Sequence, residues 1–145
     1  MKAVLQRVIK GSVRVESQVV GEIDHGLVIL LGIGPGDDAD KARELAEQIA
    51  TLRIFADKEG KMNLSILDID GEALVVPQFT LYADTSRGNR PSFTDAAPPS
   101  IARPLVDRFV SYLKDAGVPT KSGKFGAYMM VEIHNDGPVT LALEV

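Results

Sequence analysis

The chain has no cysteine, so thiolate nucleophiles, disulfides and cysteine-held zinc are excluded and few side chains remain to do chemistry. Its two histidines, His25 and His134, are far apart and fit no His-Glu-x-x-His arrangement. No carboxylate cluster accompanies them, and no metal or other cofactor is expected. A Ser-His-Asp hydrolase is equally unsupported, because there is no Gly-x-Ser-x-Gly elbow and neither histidine has an evident partner. Gly34-Pro35-Gly36-Asp37-Asp38 invites a phosphate-loop reading but lacks the Gly-Lys-Ser/Thr ending. A turn and helix N-cap, with acidic residues at the positive end of the helix dipole, is the better assignment. Of the remaining stretches, Gln78-Phe79-Thr80 offers an amide and a hydroxyl, while Asn135-Asp136-Gly137-Pro138 reads, by its residues alone, as a turn.

The elements that must position these residues follow from periodicity. Alternation from Ala73 to Tyr82 predicts a strand with Leu74, Val76, Gln78, Thr80 and Tyr82 on one face. Gln78 and Thr80 then share a face near the strand's end, where two polar groups can aim at a ligand. Alternating runs on both sides of Asn135 to Pro138 predict a hairpin of two half-buried strands. On sequence alone the Gly137-Pro138 bond is expected to be trans, since only about 5–6% of X-Pro bonds in folded proteins are cis. Strands also fill the first thirty-odd residues. Leu27 to Leu31 is an unbroken apolar run and reads as a central strand, while Gly11 and Gly21 are candidate turn or bulge positions. Ala42, Leu45, Ala46, Ile49 and Leu52 form one stripe of a helix from about Ala39 to Leu52. Ile101, Leu105, Phe109 and Leu113 mark a second helix from about Ile101 to Ala116, with Pro104 expected in or near its first turn and Gly117 ending it. Met62 is expected in the core. Between strand and second helix, Ala83 to Pro99 is a long loop holding Arg87, Arg90 and three prolines, and loops of that length are often functional.

Length and composition set the outer bounds. A chain of 145 residues fits one domain, 1–145, with a core of its own. Apolar residues at 45% and charged residues at 25% argue against disorder. No apolar run reaches the roughly 20 residues of a membrane span, and the N-terminus does not resemble a signal peptide, so a cytoplasmic location and no membrane partner are expected. The formal charge of −4 argues against a surface that is basic throughout, leaving a local patch as the route to nucleic acid. Arg87, Arg90, Lys121 and Lys124, in or beside loops, are the candidates for phosphate contacts, with solvated surface charge the alternative.

Gln78-Phe79-Thr80-Leu81 together with Asn135, Gly137, Pro138 and Thr140, an Asn-x-Gly-Pro-x-Thr pattern, resembles the D-aminoacyl-tRNA deacylases. The resemblance extends through Leu5-Gln6-Arg7-Val8, Leu52-Arg53-Ile54-Phe55, Gly60 to Ser65, Arg90-Pro91-Ser92-Phe93 and Gly123 to Ala127. It implies an α+β fold, a mostly antiparallel, barrel-like sheet with two packed helices, in a homodimer. It implies a metal-free hydrolase that cleaves the ester of D-aminoacyl-tRNA, with Gln78, Phe79 and Thr80 catalytic and Phe125 as a pocket wall. The partner is the aminoacylated 3′ end of tRNA, and no DNA is expected. Gly137-Pro138 becomes, by the same resemblance, a Gly-cis-Pro dipeptide reaching across the dimer to exclude L substrates, so glycyl-tRNA is also expected to be cleaved. Two chemistries stay open: Thr80 as nucleophile or water holder, or main-chain donors assisted by the 2′-hydroxyl of the terminal ribose, towards which the absence of a base leans. The chain departs from the pattern at Pro77, where a serine is usual, and proline has neither hydroxyl nor N–H. A relaxed-chirality paralogue with a trans bond and a non-catalytic nucleic-acid or small-ligand module are the rival readings.

Overall fold

The computed structural model describes residues 1–145. Eight strands and two helices run in the order β1 (Lys2–Val15), β2 (Gln18–Ile23), β3 (Gly26–Gly32), α1 (Ala39–Thr51), β4 (Phe55–Ala56), β5 (Met62–Leu64), β6 (Glu72–Pro77), α2 (Pro99–Asp115), β7 (Thr120–Ser122) and β8 (Met130–Glu144). The long β1 is the spine. One of its edges carries β8 antiparallel, and the other carries β3 opposite Lys2 to Val8 and β2 opposite Gly11 to Val15. Beyond β3 the ladders become parallel, β6 on β3 and β7 on β6. The sheet then curls until β2 meets β6 and β7. A Cβ on Gly21 would lie 3.1 Å from Leu74 Cδ1 and 3.4 Å from the Ser122 carbonyl, and Lys121 Nζ donates across the seam to the Glu22 carbonyl. The result is nearly closed, barrel-like and mostly antiparallel, as the sequence led us to expect.

Both parallel steps need crossovers, and the two helices supply them on one face. Leu27, Ile29 and Leu31 of β3 and Ala73 and Val75 of β6 pack with Leu45, Ile49, Leu105 and Phe109 in the larger core. The alternate residues Val28, Leu74 and Val76 join Val8, Val13 and Ile23 on the inner face. Burial on both faces makes β3 and β6 read as continuous apolar runs. Asp38 caps α1, its Oδ1 accepting from the Lys41 N–H at 3.0 Å, and Leu52 has left the helix with ψ 125°. Helix α2 ends in a Schellman motif: Gly117 takes φ +96°, and Val118 N–H bonds to Leu113 O at 3.0 Å while Gly117 N–H bonds to Lys114 O at 2.9 Å.

Several expectations need correction. The second helix starts at Pro99, a favoured first position, so Pro104 stands in the second turn. Ile101 is half exposed, and the buried stripe is Ala102, Leu105, Val106, Phe109 and Leu113. Steps of four residues drift by about 40° each at 3.6 residues per turn, which carries Ile101 off the face that Leu113 shares. Met62 is exposed, on the outlying β4–β5 ribbon. The Ala73-to-Tyr82 strand ends at Pro77 and gives way to a 3₁₀ turn over Phe79–Tyr82, so Gln78 and Thr80 do not share a strand face. Asn135 to Pro138 is no hairpin: both flanks pair with β1, Asn135 opposite Val8 and Thr140 opposite Gln6. Alternation cannot distinguish two strands paired with each other from two stretches paired with a third. Asp136 to Val139 are therefore extruded opposite Arg7 from one continuous strand.

Candidate functional site

A cleft of about 500 Å³ opens at the C-terminal ends of the parallel strands β3 and β6, the usual place for a ligand in parallel sheet. Leu31, Ile33 and Pro77 form its floor, Ala102 and Val106 of α2 one wall, and the segment from Phe125 to Ala127 with Met129 another. Phe125, the residue expected as a pocket wall, lies in this lining. Gln78 and Phe79 lie at its edge facing Phe93, and the two phenyl rings meet edge to face with centroids 5.1 Å apart. The lining is largely apolar, and its polar groups concentrate at the turn that follows β6.

The main chain there has donors to spare. Gln78 N–H completes the β3 ladder at Leu31 O, 2.8 Å away, and Leu81 N–H closes the turn onto Gln78 O at 3.3 Å. Phe79 and Thr80 N–H find no acceptor within the chain, and both residues are exposed. Sequence cannot display such groups, since they arise only because the strand stops and the turn begins. The Thr80 hydroxyl accepts from Gln78 Nε2. An amide N–H cannot receive a proton, so this contact orients Thr80 without activating it as a nucleophile.

Pro77 fits without cost to the ladder. Gln78 N–H points to β3 and Ala73 N–H to the β7 side, so alternation directs the Pro77 nitrogen to the β7 side as well. There β7 pairs only Ala73 to Val75, and the missing donor leaves no bond unmade.

Gly137 and Pro138 are exposed, joined by a cis bond, and outside the cleft of their own chain. Their base is held by residues whose role was not read from the sequence. Asn135 Nδ2 donates to Arg7 O at 2.9 Å and to Val139 O at 3.1 Å, tying both ends of the extruded segment. Arg7 Nη1 donates to Ile54 O at 2.7 Å. Arg7 Nε sits 3.0 Å from Asp136 Oδ2 as an ion pair, although the angle there makes no hydrogen bond. A Cβ on Gly137, at φ +115°, would come 3.0 Å from Arg7 Nη2. The available signal was a charged residue inside a strand-like run, Leu5-Gln6-Arg7-Val8.

The candidate cations divide. Arg87 and Arg90 ride an exposed loop pinched at its base by paired bonds between Asp84 and Ser92, 2.8 and 2.9 Å long. The Ser86 N–H, at 2.9 Å from Asp84 Oδ1, holds that carboxyl below the usual aspartate range. Lys124 is exposed beside Phe125. None of these three has a carboxylate partner. Lys121 instead lies at the barrel seam, 3.5 Å from Glu72 Oε1 and bonded to Glu22 O, away from the cleft lining.

Comparison with known proteins identifies the relatives. Residues 4–144 match the family model described as D-Tyr-tRNA(Tyr) deacylase. The chain is 62% identical to the D-aminoacyl-tRNA deacylase of Roseiflexus sp. (strain RS-1), covering 99% of this chain and 93% of that one. Against the D-aminoacyl-tRNA deacylase of Fervidobacterium nodosum the identity is 54%, over 99% and 97%. Among solved structures, the c-Myc DNA Unwinding Element Binding Protein superposes with TM-score 0.93 at 40% identity, over 100% of this chain and 99% of that one. A probable eukaryotic D-amino acid tRNA deacylase, at 19% identity and TM-score 0.83, over 99% and 98%, shares the fold.

Proposed function

The chain belongs to the D-Tyr-tRNA(Tyr) deacylase family and is an aminoacyl-tRNA ester hydrolase, and from that premise we propose that it clears D-aminoacyl-tRNA by main-chain catalysis. The observation that carries the mechanism is the pair of unpartnered N–H groups on Phe79, which lines the cleft, and on Thr80, the next residue of the same turn. Both donate to the carbonyl oxygen of the ester as it becomes an oxyanion, and one such donor is worth about 3 kcal/mol of barrier. Water attacks the carbonyl carbon, a proton passes from it through the neighbouring 2′-hydroxyl to the ribose oxygen as the bond to that oxygen breaks, and free amino acid and tRNA leave. Thr80, held by Gln78, positions, while Phe79 and Phe125 flank the ester. No metal or other cofactor takes part.

Chirality is selected in the same reading by Gly137-Pro138, acting as a rigid backbone wall in the cleft of a second copy. Placed against the α-carbon, such a wall admits hydrogen or a D substituent and clashes with an L one, so glycyl-tRNA is also a substrate. Exposure of the dipeptide and the anchoring of its base by Arg7 and Asn135 support this role. Arg87, Arg90 and Lys124 contact phosphates of the tRNA; Lys121, already engaged by Glu72, is the weakest of the four candidates. The protein works as one cytoplasmic domain, residues 1–145, in a homodimer. A second reading, nucleic-acid binding without turnover, is favoured by the name of the relative that resembles it at 40% identity. Incubation of purified protein with D-tyrosyl-tRNA in EDTA separates the two. Release of D-tyrosine far above the spontaneous rate supports the hydrolase; binding with no release supports the module.

A further inference from the structure

The turn that bears the two free N–H groups ends at Tyr82, and the surroundings of that side chain are specific. A Cβ on Gly34 would fall 2.5 Å from both Cζ and Oη of Tyr82 and 2.6 Å from Cε1, closer than real atoms approach. A Cβ on Gly32 would lie 3.2 Å from Tyr82 Cε2 and 3.0 Å from the Gln78 carbonyl. The end of β3 and the residues after it are therefore bare backbone where the ring lies across them. Lys2 Nζ stands over the ring, 4.7 Å from its centroid. The hydroxyl reaches Asp37 Oδ2 at 3.5 Å. Asp37 is itself fixed, its carboxylate accepting from Gly34 N–H at 2.7 Å, from the Met1 amino group at 2.7 Å and from Lys41 Nζ at 3.4 Å. Burial and the Asp37 charge push the Tyr82 phenol up to about 12, so it stays a neutral donor over the working pH range.

We infer that Tyr82 is a positioning residue for the hydrolysis: its ring, seated in the slot left by Gly32 and Gly34, fixes the Phe79–Tyr82 turn so that Phe79 and Thr80 N–H stay aimed at the ester. This rests on the function proposed above. The side chain touches no substrate, lying outside the cleft lining. Its effect is on geometry, where misplacement of a donor by about 1 Å can cost a hundredfold.

A mutant cycle on kcat and KM for D-tyrosyl-tRNA tests it. Tyr82→Ala and Gly34→Ala are each expected to lower kcat by roughly tenfold to a hundredfold, with KM changed less than about twofold. In the double variant the slot is empty, so Gly34→Ala should add nothing to Tyr82→Ala. Tyr82→Phe, which keeps the ring, should retain most of kcat. The Phe79 and Thr80 amide resonances, read by NMR in the same proteins, should shift in both single variants and little in Tyr82→Phe. Penalties that multiply in the double variant, a change in KM alone, or unmoved amide resonances overturn the inference. If Tyr82→Ala does not fold, Gly34→Ala and Tyr82→Phe still decide. An inactive wild type would instead count against the proposed function, and the amide resonances would still report on Tyr82.

Discussion

At the scale of single residues, the site combines a hydroxyl that lacks a base with backbone donors that lack acceptors. Gln78 Nε2 donates to Thr80 Oγ1, and an amide donor cannot accept the proton a nucleophilic threonine must lose. Thr80→Ala is therefore expected to reduce kcat by no more than about tenfold, whereas loss of a true nucleophile costs several orders of magnitude; steady-state turnover of D-tyrosyl-tRNA distinguishes them. Gly137 sits at φ +115° with Arg7 Nη2 only 3.0 Å from where a Cβ would be. Gly137→Ala should destabilise by about 1 kcal/mol or more and reduce the ratio of D to L hydrolysis, measurable by urea unfolding and by paired kinetics. Gln78, Phe79, Thr80, Gly137 and Pro138 stood out only through the motifs that resemble the family's. Arg7 could not be given a role, because its partners Ile54, Asn135 and Asp136 come from distant parts of the chain.

At the scale of elements, what the sequence revealed depended on whether one local pattern has one structural meaning. Helix α1 was legible to within a residue because cap, stripe and end agree. The run Ala73 to Tyr82 misled because alternation persists through a 3₁₀ turn that carries no distinct period of its own. Asn135 to Pro138 misled because its flanks share β1 as partner, a long-range fact. The turn from Ser65 to Asp68 gives a test at this scale. Asp68 Oδ2 accepts from the Ser65 N–H and hydroxyl, both at 2.8 Å, and these bonds hold its carboxyl below the ordinary value of 3.8. Asp57 is lowered likewise, chiefly by the Lys61 N–H. A carboxylate with a depressed folded pKa adds stability above its unfolded pKa and loses it as pH falls through the folded one. Unfolding midpoints should accordingly drop below about pH 4, with a shallower fall in Asp68→Asn.

For the whole molecule, a net charge of −4 must be reconciled with a polyanionic substrate. The proposed resolution is a few free cations beside the cleft, Arg87, Arg90 and Lys124, against an otherwise acidic surface. With three phosphates neutralised on single-stranded RNA, the log–log dependence of binding on salt should have a slope of about −2; no dependence would remove these residues from the model. The chiral wall requires a second copy, so sedimentation should give a dimer at working concentration, and a monomer would leave Gly137-Pro138 with no cleft to enter. The central claim is that backbone alone both catalyses and selects. Single-turnover hydrolysis of D-tyrosyl-, glycyl- and L-tyrosyl-tRNA, side by side in EDTA, tests it most directly. The account predicts rapid loss of the D and glycyl esters with the L ester spared, and equal loss of D and L esters would contradict it.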